Sequence, residues 1–174
     1  MNDRSVLNLI VVFILALLFA GCGGSTMEVK QPLEKSLSPF THFAFSCETN
    51  VAEDVTEEIT ELEERVAEEV KSLALFDSVE LGSDKEFPPG TLQVTATIME
   101  IEKVSEGERF LLGAFAGQAS MTIDVIFEDA ATGETLGSFS ITGESGGTGL
   151  SGGTSQAIDE TATAIRDLIR EHYN

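Results

Sequence analysis

Three segments of this chain place apolar residues at every second position: Phe43, Phe45 and Cys47; Leu92, Val94, Ala96 and Ile98; Met121, Ile123, Val125 and Phe127. A period of two belongs to a strand with one buried face, because successive side chains point to opposite sides of a sheet. Such a sheet must be covered on that side, and two segments have the helical period to cover it. In the first, Val51, Val55, Ile59, Leu62, Val66, Val70 and Leu73 recur three or four residues apart, and Asn50 with Glu53 resembles a capping box. Short strands on both sides favour packing on a sheet over a three-heptad coiled coil. In the second, from Thr154 to His172, Ile158, Ala162, Ile165 and Ile169 form the stripe, with Leu168 beside it. DSVELG (77–82) after the first helix predicts strand, helix, strand with parallel pairing. Turns at FPPG (87–90) and DAATGE (129–134) separate the later strands of an antiparallel meander, the last being TLGSFSITG (135–143). Met99 and Ile101 break parity with Ile98, which predicts a bulge or two buried faces there. The expected fold class is α/β, a two-layer sandwich with a mixed sheet in the order β-α-β-β-β-β-α and helices on one face. One domain, 41–174, holds it.

The first 40 residues read differently. Residues 9–20, LIVVFILALLFA, are an unbroken apolar run of twelve, shorter than the ~20 residues a membrane span needs and suited to a signal-peptide core. The run closes on Phe19-Ala20-Gly21-Cys22, which resembles a bacterial lipobox, with Phe19 where leucine is commonest. Residues 1–21 are therefore expected to be a lipoprotein signal peptide, and Cys22 the lipidated residue, diacylated through sulfur. Gly23 in place of an aspartate resembles the signal for the outer membrane. The mixture of Gly, Ser, Pro and charge over 23–40 has no helix or strand period. Residues 22–40 are read as the lipidated cysteine and a flexible tether, reaching at most ~60 Å.

Acidic residues number 30 against 10 basic, a formal charge of −20, so the surface repels phosphate backbones and nucleic acid is not an expected partner. Nine acids crowd the first helix and its approach, from Glu53 to Glu69, as a solvated face in which Glu61–Arg65 is a favourable pair. With Cys22 acylated, Cys47 has no second thiol to pair with, and its parity with Phe43 and Phe45 assigns it to the core. His42 and His172 stand far apart in sequence without a nucleophile motif near either. Gly147-Thr148-Gly149-Leu150-Ser151-Gly152 matches G-x-G-x-x-G, yet the chain has no further strand after the following helix, and no lysine completes a phosphate loop. Residues 143–153 are read as a glycine-rich loop. No catalytic residue, metal ligand or cofactor is assigned. Leu112-Gly113-Ala114-Phe115-Ala116-Gly117 contains G-x-x-x-G outside any long apolar stretch. There Phe110, Leu111, Leu112 and Phe115 crowd beside glycines, making this the candidate partner-contact surface.

The run from Arg109 to the C-terminus resembles the end of the bacterial lipoprotein family called domain of unknown function 4410. The resemblance rests on Arg109, Gly113 and Gly117, an alternating strand, the turn with Asp129, Thr132 and Gly133, a second strand, the 143–153 loop and a terminal helix. It implies no activity. The strand–helix–strand layout is more distantly similar to envelope lipoproteins that activate peptidoglycan synthases or assist curli secretion. The expectation is an outer-membrane lipoprotein facing the periplasm, membrane-bound through Cys22, whose non-catalytic domain binds an unidentified envelope protein. A periplasmic small-ligand carrier or enzyme is the alternative, and would need a pocket of ~300–1,000 Å³ with convergent polar groups.

Overall fold

The computed structural model describes residues 23–82, 86–103, 118–146 and 153–173. Its elements are β1 (Gly24–Gln31), β2 (His42–Thr49), α1 (Thr56–Ser72), β3 (Ser78–Leu81), β4 (Thr91–Glu102), β5 (Ser120–Asp129), β6 (Glu134–Glu144) and α2 (Thr154–His172). They build a six-stranded sheet in the order β1-β6-β5-β4-β2-β3. β2 lies parallel to both β3 and β4, whereas β4, β5, β6 and β1 pair antiparallel. The result is the mixed-sheet, two-layer α/β architecture, with one more strand at the front than the alternating pattern predicts.

The sheet's covered face carries the period-two residues. Phe43, Phe45, Val94, Ala96, Ile98, Met121, Ile123, Val125, Phe127, Phe139 and Ile141 are almost fully buried there, under Leu62, Val66 and Val70 of α1 and Ile158, Ile165 and Ile169 of α2. The parity change in β4 is a bulge: Ile98 pairs with Ile123 and Glu100 with Thr122, leaving Met99 as the extra residue, 41% exposed. The DAATGE turn forms as expected, with Gly133 in the left-handed region at φ +69° and its N–H donating to Asp129 O at 2.8 Å.

Four expectations need correction. First, residues 24–31 are not a tether but the edge strand β1, and Leu33, Leu37 and Phe40 of the rest are buried. The sheet order obliges the chain to pass from β1 to β2, four strand spacings of ~4.8 Å, and residues 32–41 make that passage with their leucines inward. Leu33 sits over Gly137, and Leu37 N–H donates to His172 O at 2.8 Å. Second, α1 starts at Thr56 rather than near Asn50; its N-cap residue is Val55, and Asp54 Oδ1 accepts from Thr56 N–H at 3.1 Å. Third, Arg65 pairs with Asp159 of α2 at 3.0 Å and Glu68 at 3.6 Å, while Glu61 accepts from Ser155 Oγ at 2.6 Å. The interhelix partner wins over the predicted i,i+4 pair. Fourth, β6 runs to Glu144, so the glycine-rich stretch begins after that residue rather than at Gly143, which the strand 135–143 already includes; residues 147–152 lie outside the described residues.

The face away from the helices is hydroxyl-rich. Thr122 and Thr142 hydroxyls lie 2.9 Å apart, and Asp124 on β5 accepts from Ser140 Oγ on β6 at 2.9 Å and from Lys30 Nζ on β1 at 2.7 Å. Burial raises the Asp124 carboxyl, but the bonds from Lys30 and Ser140, with the charge of Lys30, outweigh it and hold it below the usual value. A depressed carboxylate contributes stability above its unfolded pKa, ~3.9, and loses it as pH falls through the lower folded value. This ion pair is the charged side-chain link from β1 to the interior strands among the described residues, so Asp124→Asn is expected to speed amide hydrogen exchange in residues 24–31 selectively. In the parent the same acceleration should appear only as pH falls below ~4. Exchange that rises equally across β4 and β5 would contradict this.

Packing of α2 on the sheet generates a second expectation. A Cβ built at Gly143 would overlap Ala157 O and Thr161 Oγ1, and Thr161 N would stand 3.0 Å away; at Gly24 it would meet nothing within 4 Å. Two of the three obstructing atoms are helix backbone, which cannot swing aside. Gly143→Ala should therefore cost about 2–3 kcal/mol in urea denaturation, and Gly24→Ala less than about 0.5.

Candidate interaction surfaces

Cys22 and the expected partner-contact residues Phe110, Leu111, Leu112 and Phe115 lie outside the described residues. The residues flanking them are placed. Ladder register aligns Gly24 of β1, Glu144 of β6, Ser120 of β5 and Glu102 of β4 in one row across four strands. Cys22 precedes this row by two residues, and the 104–117 connection leaves from it after Lys103 and returns to it before Gln118. Ala119 and Ser145 lock the row: each N–H donates to the other residue, at 2.9 Å to Ala119 O and 2.9 Å to Ser145 Oγ.

Both helices begin at this end. Lys103 Nζ reaches Glu58 Oε1 at 2.7 Å and Asp54 O at 3.0 Å, tying the end of β4 to the first turn of α1. The Glu58 hydrogen bond holds the Lys103 ammonium above its ordinary value, and the hydroxyl and N–H of Thr56 hold Asp54 below its own. A recess of about 360 Å³ lies among Asp54, Thr56, Glu57, Glu58 and Lys103. A second, of about 210 Å³, lies at the opposite end among Gln31, Pro32, Glu34, Lys35, Glu134, Thr135 and Leu136. Both linings are mainly charged or polar, unlike the predominantly apolar walls of small-molecule sites.

β1 supplies a surface that the alternating pattern missed. All eight of its residues are exposed and, among the described residues, one of its edges has no strand partner, so a row of main-chain donors and acceptors faces outward. Met27 and Val29 stand 42% and 55% exposed on it. The signal was present: Met27 and Val29 alternate with Glu28 and Lys30 in the sequence.

Other candidate groups serve the fold. His42 Nδ1 lies 2.9 Å from Ser78 Oγ, linking β2 to β3, and His172 Nδ1 lies 2.9 Å from Leu168 O. Tyr173 closes the far end: its hydroxyl donates to Leu75 O at 2.7 Å, and its ring meets Phe76 edge-on at 5.4 Å. Among the described residues no group of three or more His, Cys, Asp and Glu could hold a metal ion, and no helix is long and apolar enough to cross a membrane. Cys47 is half-buried against the core rather than fully inside it. Its N–H donates to Glu63 Oε1 at 3.0 Å. Burial, with the negative charges of Glu63 and Glu48, pushes the thiol up to about 12.

These features define a two-layer α/β domain with an open six-stranded sheet, one bare edge strand and an acidic helical layer. The chain belongs to the family described as domain of unknown function (DUF4410), whose model matches residues 28–149. Among solved structures, the PelC dodecamer from Paraburkholderia phytofirmans is similar at 12% identity and TM-score 0.56, over 83% of this chain and 96% of that one. A variant of the same PelC in a second crystal form gives 15% and 0.54, over 82% and 97%. A protein of family DUF330 from Xanthomonas campestris gives 8% and 0.49, over 82% and 90%. At these identities the PelC likeness concerns the fold. No curated protein matches the sequence.

The environment of Cys47 makes a direct test possible, because Cys22→Ala leaves it as the one thiol. At pH 8 a thiol with a pKa near 12 is ionised in about one part in 10⁴, against roughly a quarter for a free cysteine. Maleimide labelling of the native protein should be at least about 100-fold slower than in denaturant. Equal rates would reopen a redox role for Cys47.

Proposed function

We propose that this protein is an outer-membrane lipoprotein, anchored by acyl chains on Cys22, whose non-catalytic domain binds another component of the cell envelope on the periplasmic side. The observation that carries the reading is the apolar run 9–20 closing on Phe19-Ala20-Gly21-Cys22 immediately before a folded domain. Acyl chains contribute ~0.8 kcal/mol per buried CH₂, so several of them hold a domain of this size firmly at a membrane. Gly23 supports the outer membrane as the destination. Two features support binding over chemistry: the edge of β1 left unpaired by the described strands, with Met27 and Val29 exposed, and the crowding in sequence of the apolar residues Phe110, Leu111, Leu112 and Phe115 beside glycines. A second copy of the chain is the alternative partner, favoured by the bare edge of β1 and by the dodecameric state of the structurally similar PelC.

In-cell crosslinking followed by mass spectrometry tests the reading. Cys22→Ala is expected to abolish acylation and remove the protein from the outer-membrane fraction. Phe110→Ser with Phe115→Ser is expected to leave stability within about 1 kcal/mol and to lose the crosslinked partner, whereas truncation of core aromatics would cost about 3–5 kcal/mol. Membrane fractionation that survives Cys22→Ala overturns the anchor. Crosslinks and melting that both survive the double substitution overturn the contact surface.

A further inference from the structure

We propose that the sheet end where β1 begins is the membrane-facing end of the protein, held in one orientation because almost no chain separates it from the lipid. The inference rests on acylation of Cys22. Only Gly23 lies between Cys22 and Gly24, and Gly24 is already paired with Glu144. Two residues span at most ~7 Å. Gly23 is itself seated: a Cβ there would collide with Gln156 Nε2 of α2 and with Glu144 O. The acylated residue is thus bound to the corner formed by β1, β6 and the first turn of α2. The row Gly24, Glu144, Ser120, Glu102 continues that corner along the end of the sheet, and Lys103 carries it to the start of α1. The opposite end, with the exposed turn at Ala131, lies a strand length away, since β5 has 10 residues and rises ~3.3 Å at each, about 30 Å in all.

Charge settles what kind of contact this is. Glu48, Glu100, Glu102 and Glu144 are exposed at the membrane-facing end, and Lys103 is already paired. Such a surface has no attraction for phosphate headgroups and is repelled by anionic lipid. Among the described residues, what ties this end to the bilayer is the short covalent link.

The test uses the acylated full-length chain in a Cys47→Ala background, reconstituted into phosphatidylcholine vesicles containing a headgroup-nitroxide lipid. A bimane fluorophore is attached at Glu144→Cys or at Ala131→Cys. The expected result is at least about twofold stronger quenching at position 144 than at 131. Inserting a Gly-Ser spacer of about twelve residues between Gly23 and Gly24 should abolish the difference. Equal quenching at the two positions in an acylated chain, or a difference that survives the spacer, overturns the proposal. Mass spectrometry of Cys22 separates the two failures: a chain without acyl groups overturns the lipoprotein reading together with this one, whereas an acylated chain without the quenching difference overturns the orientation alone.

Discussion

The close seating of α2 on β6 organises the rest of the molecule. It depends on Gly143, the position at which a side chain would intrude on the helix backbone at Ala157 and Thr161. Thr161 is fully buried at this contact, and its hydroxyl is satisfied by Ala157 O within the helix at 2.8 Å, so the approach leaves no orphaned polar group. From this seat α2 positions α1 through three polar links along their interface: Ser155 to Glu61, Arg65 to Asp159, and Arg166 to Glu69 at 2.6 Å. The C-terminal end of the same helix receives Leu37 N–H on His172 O and places Tyr173 against Phe76. A helix displaced from Gly143 would disturb the second helix, the passage from β1 to β2 and the aromatic cluster together.

The acidity of the chain is reconciled with folding by where its few cations sit. Arg65 and Arg166 lie between the two helices, where each answers carboxylates from both α1 and α2. Bonds to Asp167 and Glu69 outweigh burial and hold the Arg166 guanidinium above its ordinary value. Asp159 remains raised: burial is the main cause, and the acids of α1 add to it against the opposing charge of Arg65. Lys30 and Lys103 secure the margins, one joining β1 to β5 and the other β4 to α1. Most remaining carboxylates face water, where ions screen them within ~8–10 Å.

What was legible in the sequence follows from burial. Strands β4 and β5 bury one face, and that asymmetry writes itself as alternation, whereas β2 buries both faces from Phe43 to Ser46 and alternates only in side-chain size; even the β4 bulge was visible, because an extra residue reverses parity at a definite place. β1 buries neither face, so nothing compels its eight residues to alternate cleanly, and only the Met27–Val29 pair hints at a strand. The leucines of 32–41 have no period because that stretch follows the margin of the core rather than an axis. The start of α1 was misplaced because Asn50 with Glu53 has the local look of a capping box, whereas tertiary packing leaves 51–55 as a bend that carries Val55, the N-cap residue, into the core. Of the candidate site, Phe110, Leu111, Leu112 and Phe115 were legible as an apolar cluster, but not the end of the sheet from which their connection departs. That placement is a matter of strand order, which no local pattern encodes.

Replacing a tether by a strand changes the mechanics of the domain. Eighteen flexible residues would have let it sample a hemisphere ~60 Å in radius, with its partner surface at low effective concentration everywhere within it. If Cys22 carries the lipid as proposed, β1 hydrogen-bonded from Gly24 onward shrinks the chain between anchor and fold to ~7 Å, and that freedom disappears. Flexibility between membrane and domain can return only if β1 peels from β6. The strands differ in what resists peeling: β6 is held by β5 and by α2 along its length, whereas β1 is held by one ladder, the Lys30–Asp124 bridge, the Gln31 bond to Thr135 O and contacts with α2. If the lipid is on Cys22, a pull on it acts along β1, because the strands run away from the Gly24 end, and it loads the pairs of the β1–β6 ladder together in shear rather than one at a time.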